Sequence, residues 1–264
     1  MKFSIITVCY NSEKTIRRTM ESVLNQTYKD YEYIIIDGKS TDKTIDIVKE
    51  YEGLFCGRMR FISEPDTGIY NAMNKGIRLC SGSIIGIVNS DDWLQPDALE
   101  IVKTYAEKIT YSHFIISGWM YFHYDDGAVQ ILKNTYERYE RKMRIYAMGL
   151  RHPATFVSKS VYEQFGVFDE NLKVSADREF VIRCYFQENV HVYIIPQILT
   201  NMSDGGASEQ RPTYKHLQTR IQDSKYILQK YIKNKLKFTC VFGFYRLLLY
   251  SKYLMPLSVK KLLR

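Results

Sequence analysis

The sequence predicts an α/β fold: a mainly parallel sheet with helices on both faces, followed by a helical C-terminal extension. Three observations predict it. Between Phe3 and Tyr105, short apolar runs alternate four times with segments of helical period, the pattern of strands covered by crossover helices. Beyond Phe114 the apolar runs are separated by turn residues, which extends the sheet with mixed strands. From Glu209 onward the residues are helical in composition and carry 13 Lys and Arg against 2 Asp and Glu, a net +11, leaving 24 against 27 before them.

Taken in order, Phe3 to Val8 is a β-rich strand, after which Asn11 or Ser12 offers an N-cap to a helix with apolar positions Ile16, Met20, Val23 and Leu24. Tyr33 to Ile36 is the second strand. Ser40 or Thr41 then caps a helix reaching about Tyr51, and Met59 to Ile62 is a third, short strand. Ile69, Met73 and Ile77 mark a helix ahead of the apolar run Ile84 to Val88. Pro96 fits the first turn of the next helix, which buries Leu99, Val102 and Tyr105. Phe114 to Tyr124 and Val129 to Leu132 are strands joined through Asp125, Asp126 and Gly127. A helix from about Ala176 to Phe186, a strand from His191 to Ile195 and a loop over Ser203 to Ser208 complete the body.

With 264 residues, 45% of them apolar and 25% charged, the chain has the composition of a globular protein, and no repeat or low-complexity block appears. Cys9, Cys56, Cys80, Cys184 and Cys240 are scattered with no Cys-x-x-Cys pair, which suits a reducing compartment. The opening residues read as a strand and not as a signal peptide, so a cytoplasmic location is expected. The net charge of +8 belongs to the extension, so nucleic acid is not an expected partner.

In an open parallel sheet, ligands bind beyond the carboxyl ends of the strands. Polar residues follow each apolar run: Tyr10 and Asn11; Asp37 to Asp42; Glu64, Pro65, Asp66 and Gly68; Asn89, Ser90, Asp91 and Asp92. All four groups fall on one edge. Asp91 and Asp92 are the sharpest signal, because adjacent carboxylates repel unless a cation compensates, and Mg²⁺ or Mn²⁺ takes such oxygens alongside a diphosphate. A turn with acidic residues ahead of the next helix is the competing reading. No glycine-rich phosphate loop is present, which makes a metal the diphosphate partner.

The order of Ile5 to Asn11, Gln26 and Thr27, Asp37 to Thr44, Glu64 to Gly76 and Asn89 to Asp92 resembles the nucleotide-sugar half of family 2 glycosyltransferases, whose domain is called GT-A. The resemblance covers residues 3–110 and, less closely, 150–208. Its most specific stretch, Glu64 to Gly76, is similar to members that build bacterial surface polysaccharides. It implies a GT-A catalytic domain over 1–208, with a nucleotide-sugar half (1–110) and an acceptor half (111–208), and a basic helical extension over 209–264.

By the same resemblance, Asn89 to Asp92 matches the family's Asp-x-Asp element, which implies Asp91 near the ribose or metal and Asp92 at the metal and diphosphate. Asn89 stands where many members have Asp. Asp37 matches the first acidic residue of the family's Asp-Asp-x-Ser motif, facing base and ribose, and Gly38 replaces the second. Asp66 is implied to line the nucleotide pocket, Asn74 and Lys75 to lie on the helix that covers it, and Tyr10 and Asn11 to border it. Ser175 to Phe180 matches the element with the catalytic base, which implies Asp177 as that base and leaves Glu179 as its alternative. His152 matches a segment beside the acceptor site, and Gly205 to Ser208 a loop near the active site. For Asp177, Lys75 and His152, purely structural roles compete with these assignments. Tyr70 and Trp93 are either sugar-stacking or core aromatics.

The resemblance thus implies an inverting glycosyltransferase that uses Mg²⁺ or Mn²⁺ to move a sugar from a nucleoside-diphosphate sugar, UDP-linked by expectation, to a glycan or polyprenyl-linked acceptor. A sugar-phosphate nucleotidyltransferase is the rival enzyme, although Tyr10 to Ser12 lack its basic, glycine-rich loop. A membrane or nucleic-acid adaptor is the rival without catalysis. In the extension, Phe238 to Met255 is apolar and aromatic but contains Arg246 and Lys252, each costing about 2.5 to 3.5 kcal/mol at the centre of a spanning helix. Residues 236–264 are therefore expected on an anionic membrane surface, or packed on the catalytic domain.

Overall fold

The structure, a computed structural model, describes residues 1–144, 146–204 and 213–254. Strands β1 (Phe3–Cys9) and β2 (Tyr31–Asp37) are buried along nearly their whole length, because α1 (Ile16–Leu24), α2 (Thr44–Glu52) and α3 (Ile69–Leu79) cover both faces. With a strand period of two, Ile6, Val8, Ile34 and Ile36 enter one core layer, and Phe3, Ile5, Tyr33 and Ile35 enter the other. Parallel pairing runs from β3 (Met59–Ser63) through β2 and β1 to β4 (Ile84–Ile87). The register sets Cys9 opposite Asp37 and Asp37 opposite Ser63, so the segments after these strands emerge side by side.

Three local expectations change. Asn11 and Ser12 lie ahead of α1, whose N-cap position is Thr15; Asn11 is held at φ 49° instead. For α2 the N-cap position is Lys43 and neither Ser40 nor Thr41; ahead of it the Asp42 carboxylate accepts from the Thr44 backbone N–H at 3.0 Å, an acidic group suited to a helix start. After β5 (Trp93–Leu94), Pro96 precedes the Asp97 N-cap of α4 (Ala98–Ala106) and stands outside the first turn.

Beyond α4 the sheet reverses. Strand β6 (Phe114–His123) pairs antiparallel with β7 (Val129–Leu132) and, after α5 (Tyr136–Arg144), with β8 (Thr155–Ser158), which itself pairs antiparallel with β4. Helices α6 (Lys159–Phe165) and α7 (Ala176–Tyr185) precede β9. That strand runs His191–Ser203, well past the expected Ile195. Its pairing with β6 skips from Ile194 to Ile198, around Pro196, which has no N–H to donate. Gly118 admits this irregularity, since a Cβ there would lie 2.6 Å from the Leu199 side chain. Continuing past it, β9 pairs with β5 and delivers Asn201 and Ser203 beside the Asp91 segment. The resulting order is β3-β2-β1-β4-β8-β6-β9-β5, with β7 on β6.

In the extension, α8 (Tyr214–Tyr231) and α9 (Lys235–Leu254) form a hairpin. Ile227, Leu228, Ile232 and Tyr245 enter the same core layer as Phe180 and Val181 of α7. All five cysteines are free. The expected loop residues Gly205 to Ser208, and Met255, Lys260, Lys261 and Arg264, lie outside the described residues.

Candidate active site

The bay at the ends of β1, β2 and β3 is built around Asp37. Its carboxylate is fully buried and accepts from the Ser40 N–H at 3.0 Å, the Ser63 hydroxyl at 2.6 Å and the Ser40 hydroxyl. Ser40 is in turn an acceptor for the Asn11 N–H at 2.8 Å, while the Asn11 side chain accepts from the Thr41 N–H at 2.9 Å. Asp37 and Asn11 thereby shape the two loops that frame the bay. The departure at Gly38 has a steric reason: a Cβ there would sit 2.5 Å from Asp66 Oδ2 and 3.4 Å from the Tyr10 ring. Asp66, which also accepts from the Gly68 N–H at 2.9 Å, occupies the space a second acidic side chain would need. Tyr10 stands 62% exposed at the rim, with ring surface free to stack.

At the end of β4, Asp92 is buried and Asp91 half-buried. Burial pushes both carboxyls above the usual carboxylate range, and the Asp91 charge pushes Asp92 further. Arg18 of α1 holds the backbone here, donating to the Asp91 carbonyl at 2.9 Å and the Ser203 hydroxyl at 2.7 Å while its guanidinium lies 3.6 Å over the Trp93 ring. Trp93 is thereby occupied by Arg18 and, on the ring-contact side at 4.7 Å, His123.

Two buried oxygens, Asn89 Oδ1 and Asp92 Oδ1, lack any hydrogen-bond partner among the described residues. Unpartnered buried acceptors are costly. A divalent cation removes that cost, and Mg²⁺ or Mn²⁺ typically takes only one or two protein carboxylates and completes its shell with phosphate oxygens and water. The described residues contain no cluster of three or more His, Cys, Asp or Glu that would hold a metal alone. The Asn89, Asp91 and Asp92 oxygens therefore fit a cation shared with a diphosphate.

Asp177 lies in the first turn of α7. Its Oδ1 accepts from the Tyr70 hydroxyl at 3.1 Å and the Arg178 N–H at 2.8 Å. Burial and Asp177 together keep the Tyr70 phenol protonated by pushing its pKa well up. Tyr70, buried and bound to Asp177, is thus not a sugar platform. His152 shares a small cavity with Asp177 and with Ile87, two residues before Asn89. Burial lowers the His152 pKa while the Asp177 charge raises it. Asp177 and His152 thereby meet near the end of β4. Phe168 packs its ring against Tyr70, His152, Tyr162 and Phe180, with centroids 5.4 to 6.1 Å apart.

Asn74 and Lys75 face other groups. Asn74 is buried and staples α3 to the segment between α6 and α7, donating to the Phe168 carbonyl at 2.9 Å and to Glu170 at 2.8 Å and accepting from the Phe168 N–H at 3.0 Å. Lys75 bonds Glu64 and the Pro65 carbonyl, both at 2.8 Å, which holds the segment bearing Asp66. Glu179 is no alternative base: fully buried, it is bound by Lys230, Tyr231 and Arg183. Arg18, Phe168 and Glu170 escape sequence reasoning because their partners lie tens of residues away with no local pattern. Tyr70 had a signal, its place within the Glu64 to Gly76 stretch.

Comparison with known proteins agrees with this geometry. The chain is 47% identical over 98 residues to Escherichia coli chondroitin synthase, a match covering 37% of this chain and 14% of that protein. It is 31% identical over 159 residues to glycosyltransferase GlyA of Streptococcus pneumoniae, covering 53% and 22%. The chain therefore spans less than a quarter of either relative. An uncharacterized glycosyltransferase of Methanocaldococcus jannaschii is 29% identical over 258 residues, covering 94% of this chain and 85% of its own length. Among solved structures, S. aureus TarS 1-349 in complex with UDP-GlcNAc superposes with a TM-score of 0.69 at 17% identity, over 96% of this chain and 73% of that one. A Pyrobaculum calidifontis mannosyltransferase in complex with GDP-Man and Mn²⁺ gives 0.64 at 16%, over 99% and 78%. These neighbours share the GT-A fold. Residues 4–166, more than half of the chain, match Glycosyl transferase family 2, and with strand-end carboxylates on a GT-A sheet the chain belongs to that family.

Proposed function

We propose that the protein is a metal-dependent, inverting glycosyltransferase that moves a sugar from a nucleoside-diphosphate sugar, UDP-linked in our reading, to a hydroxyl of a glycan or polyprenyl-linked acceptor in bacterial surface polysaccharide synthesis. The observation that carries it is the pair of unpartnered buried oxygens on Asn89 and Asp92, beside Asp91 at the end of β4. TarS and the mannosyltransferase, solved with UDP-GlcNAc and with GDP-Man and Mn²⁺, support a nucleotide-sugar donor and a divalent ion.

Asp91 and Asp92, with Asn89, would hold Mg²⁺ or Mn²⁺, which when bound offsets the charge that builds on a leaving diphosphate. Tyr10 and Asp66 border the nucleotide, and Asp37, Asn11 and Lys75 keep their loops in place. Asp177 is the general base. With Oδ1 restrained by Tyr70 and Arg178, its other oxygen takes the proton of the acceptor hydroxyl while the acceptor oxygen attacks the anomeric carbon and the bond from that carbon to the diphosphate breaks on the opposite face. One carboxylate and one displacement invert the configuration. His152 lines the acceptor side.

The test is nucleoside diphosphate release from a panel of nucleotide sugars with and without Mn²⁺. Release from a UDP-sugar that chelation abolishes is expected; equal release in excess chelator overturns the metal dependence.

The second partner in this reading is an anionic membrane met by residues 236–264. Leu236, Leu247 and Leu254 of α9 are 72 to 76% exposed and share one helical stripe at about 100° per residue. Exposed Lys235, Lys237 and Arg246 accompany them, with no acidic residue on α9. No described helix is long and apolar enough to cross a membrane, and cations near anionic lipid contribute about 1 kcal/mol each. Cosedimentation with phosphatidylserine-containing liposomes should be salt-sensitive and lost in Leu236→Ser/Leu247→Ser. Equal binding by that variant, or none by the wild type, refutes the docking face.

A further inference from the structure

The proposed base sits on a short helix whose first turn is held from outside the catalytic domain. Three attachments run from the extension to the residues immediately around Asp177. Asp223 of α8, itself buried, accepts from the backbone N–H groups of Lys173 and Val174 at 3.2 and 2.9 Å. These are the last residues before the Ser175 N-cap, which makes no side-chain cap bond of its own. Arg178, next to Asp177, donates to the Ser224 hydroxyl at 3.1 Å and lies 5.3 Å from the Tyr245 ring centroid of α9. Glu179, fully buried, takes Lys230 at 2.8 Å and the Tyr231 hydroxyl at 2.6 Å on one oxygen and Arg183 at 2.8 Å on the other.

Buried ionic contacts are a poor source of stability, since apolar packing of the same volume does as well, and their distinctive effect is to select one arrangement. A carboxylate that binds the two N–H groups just ahead of the N-cap from 49 and 50 residues away ties the approach to α7 to α8. Asp177 projects from that turn to Tyr70 on α3. The extension and the nucleotide half therefore grip the same turn from opposite sides.

We propose that α8 is a positioning element for catalysis, with Asp223 and Lys230 as positioning residues that hold the first turn of α7 so that Asp177 meets the acceptor hydroxyl. This rests on the reading of Asp177 as the base. It gives the extension a role in turnover separate from membrane docking, because these contacts are made by α8, with Asp223 and Ser224 buried, and not by the exposed leucines of α9.

The experiment uses the full chain, with Asp223→Ala, Lys230→Met and the conservative Asp223→Asn and Lys230→Arg, beside Asp177→Asn. Amide hydrogen exchange is followed by mass spectrometry, and kcat and KM are measured with the UDP-sugar that the donor panel selects. Asp223→Ala and Lys230→Met are expected to speed exchange over residues 174–180 at least about 10-fold with the β1 to β4 amides unchanged. They should also lower kcat at least about 10-fold with donor KM within about twofold, since small misplacements of a reacting group cost rate and not binding. The conservative variants should recover most of both. Wild-type exchange over 174–180, or kcat within about twofold in a background where Asp177→Asn abolishes transfer, overturns the positioning role. Exchange that speeds up across the whole sheet also overturns it, by making these bonds general stability contacts. Retained turnover in Asp177→Asn refutes the base assignment instead, and the exchange readout still decides whether α8 holds the turn.

Discussion

In the N-terminal half, the candidate site residues stand at the ends of parallel strands paired in register, and most of their bonds are to neighbouring strand ends: Asp37 to Ser40 and Ser63, Asn11 to Ser40 and Thr41, Asp66 against Gly38. In the C-terminal half, strands reverse direction and the candidate base is carried on a helix held both by Tyr70 and by α8. The first arrangement follows from backbone pairing. The second depends on side chains 46 to 107 residues apart in sequence finding one another. A parallel sheet thus produces a ligand edge almost as a by-product of its topology, whereas a base aimed at an acceptor needs separate scaffolding.

Asp92→Asn tests the first half most severely. Turnover should be abolished, and UDP binding by titration calorimetry should lose its Mn²⁺ dependence. The metal-free protein should melt no lower than wild type, because a neutral amide removes a buried carboxylate repelled by Asp91. Wild-type turnover would refute the metal role.

Asp177→Asn sharpens the contrast from the other side. Donor and metal affinity should stay near wild type while the transfer rate falls at least about 100-fold. Collapse of donor binding in a folded variant would move Asp177 into the donor site and erase the division of labour between the halves.

Asn74→Ala addresses the joint between the halves. It strands the Phe168 N–H and removes the bond to Glu170, so urea unfolding should show a loss of about 2 to 3 kcal/mol. Little change would mean that the two halves are joined mainly by apolar contact.

The smallest effect is expected within the first half, at Glu32. Burial raises its pKa, but bonds from Ser4 and Ser81 and the nearby Lys2 hold it down to about 2. A depressed folded pKa contributes stability that is present above the unfolded value near pH 4.3 and lost as pH falls toward 2. Glu32→Gln should cost about 1 to 2 kcal/mol at neutral pH and flatten the melting temperature between pH 4.5 and 2. A wild-type slope in the variant would assign the acid sensitivity elsewhere.

Much of the site was legible before the fold was known. Apolar runs followed by Asp37, Asp66, Asp91 and Asp92 marked the ligand edge, because strand ends and polar punctuation are local properties. The start of α2 was expected at Ser40 or Thr41 and falls at Lys43, and Pro96, expected in the first turn of α4, lies just ahead of its Asp97 N-cap, because neighbouring polar residues offer several starts that local pattern does not rank. The true length of β9 was hidden because Pro196 follows the expected end at Ile195, while an irregular pairing beside Gly118 of β6 carries the strand on to Ser203.

By itself the sequence determined the α/β class, the order of the elements in the N-terminal half and the chemical types gathered at their ends, because periodicity and turn chemistry act within a few residues. Only the tertiary structure decided that Asn74 and Lys75 staple loops, that Glu179 is sequestered while Asp177 is available, and that the basic extension packs an inner face against α7. Those outcomes rest on hydrogen bonds and burial between distant segments, whose pairing is selected by the collective packing of the core and has no local signature in the chain.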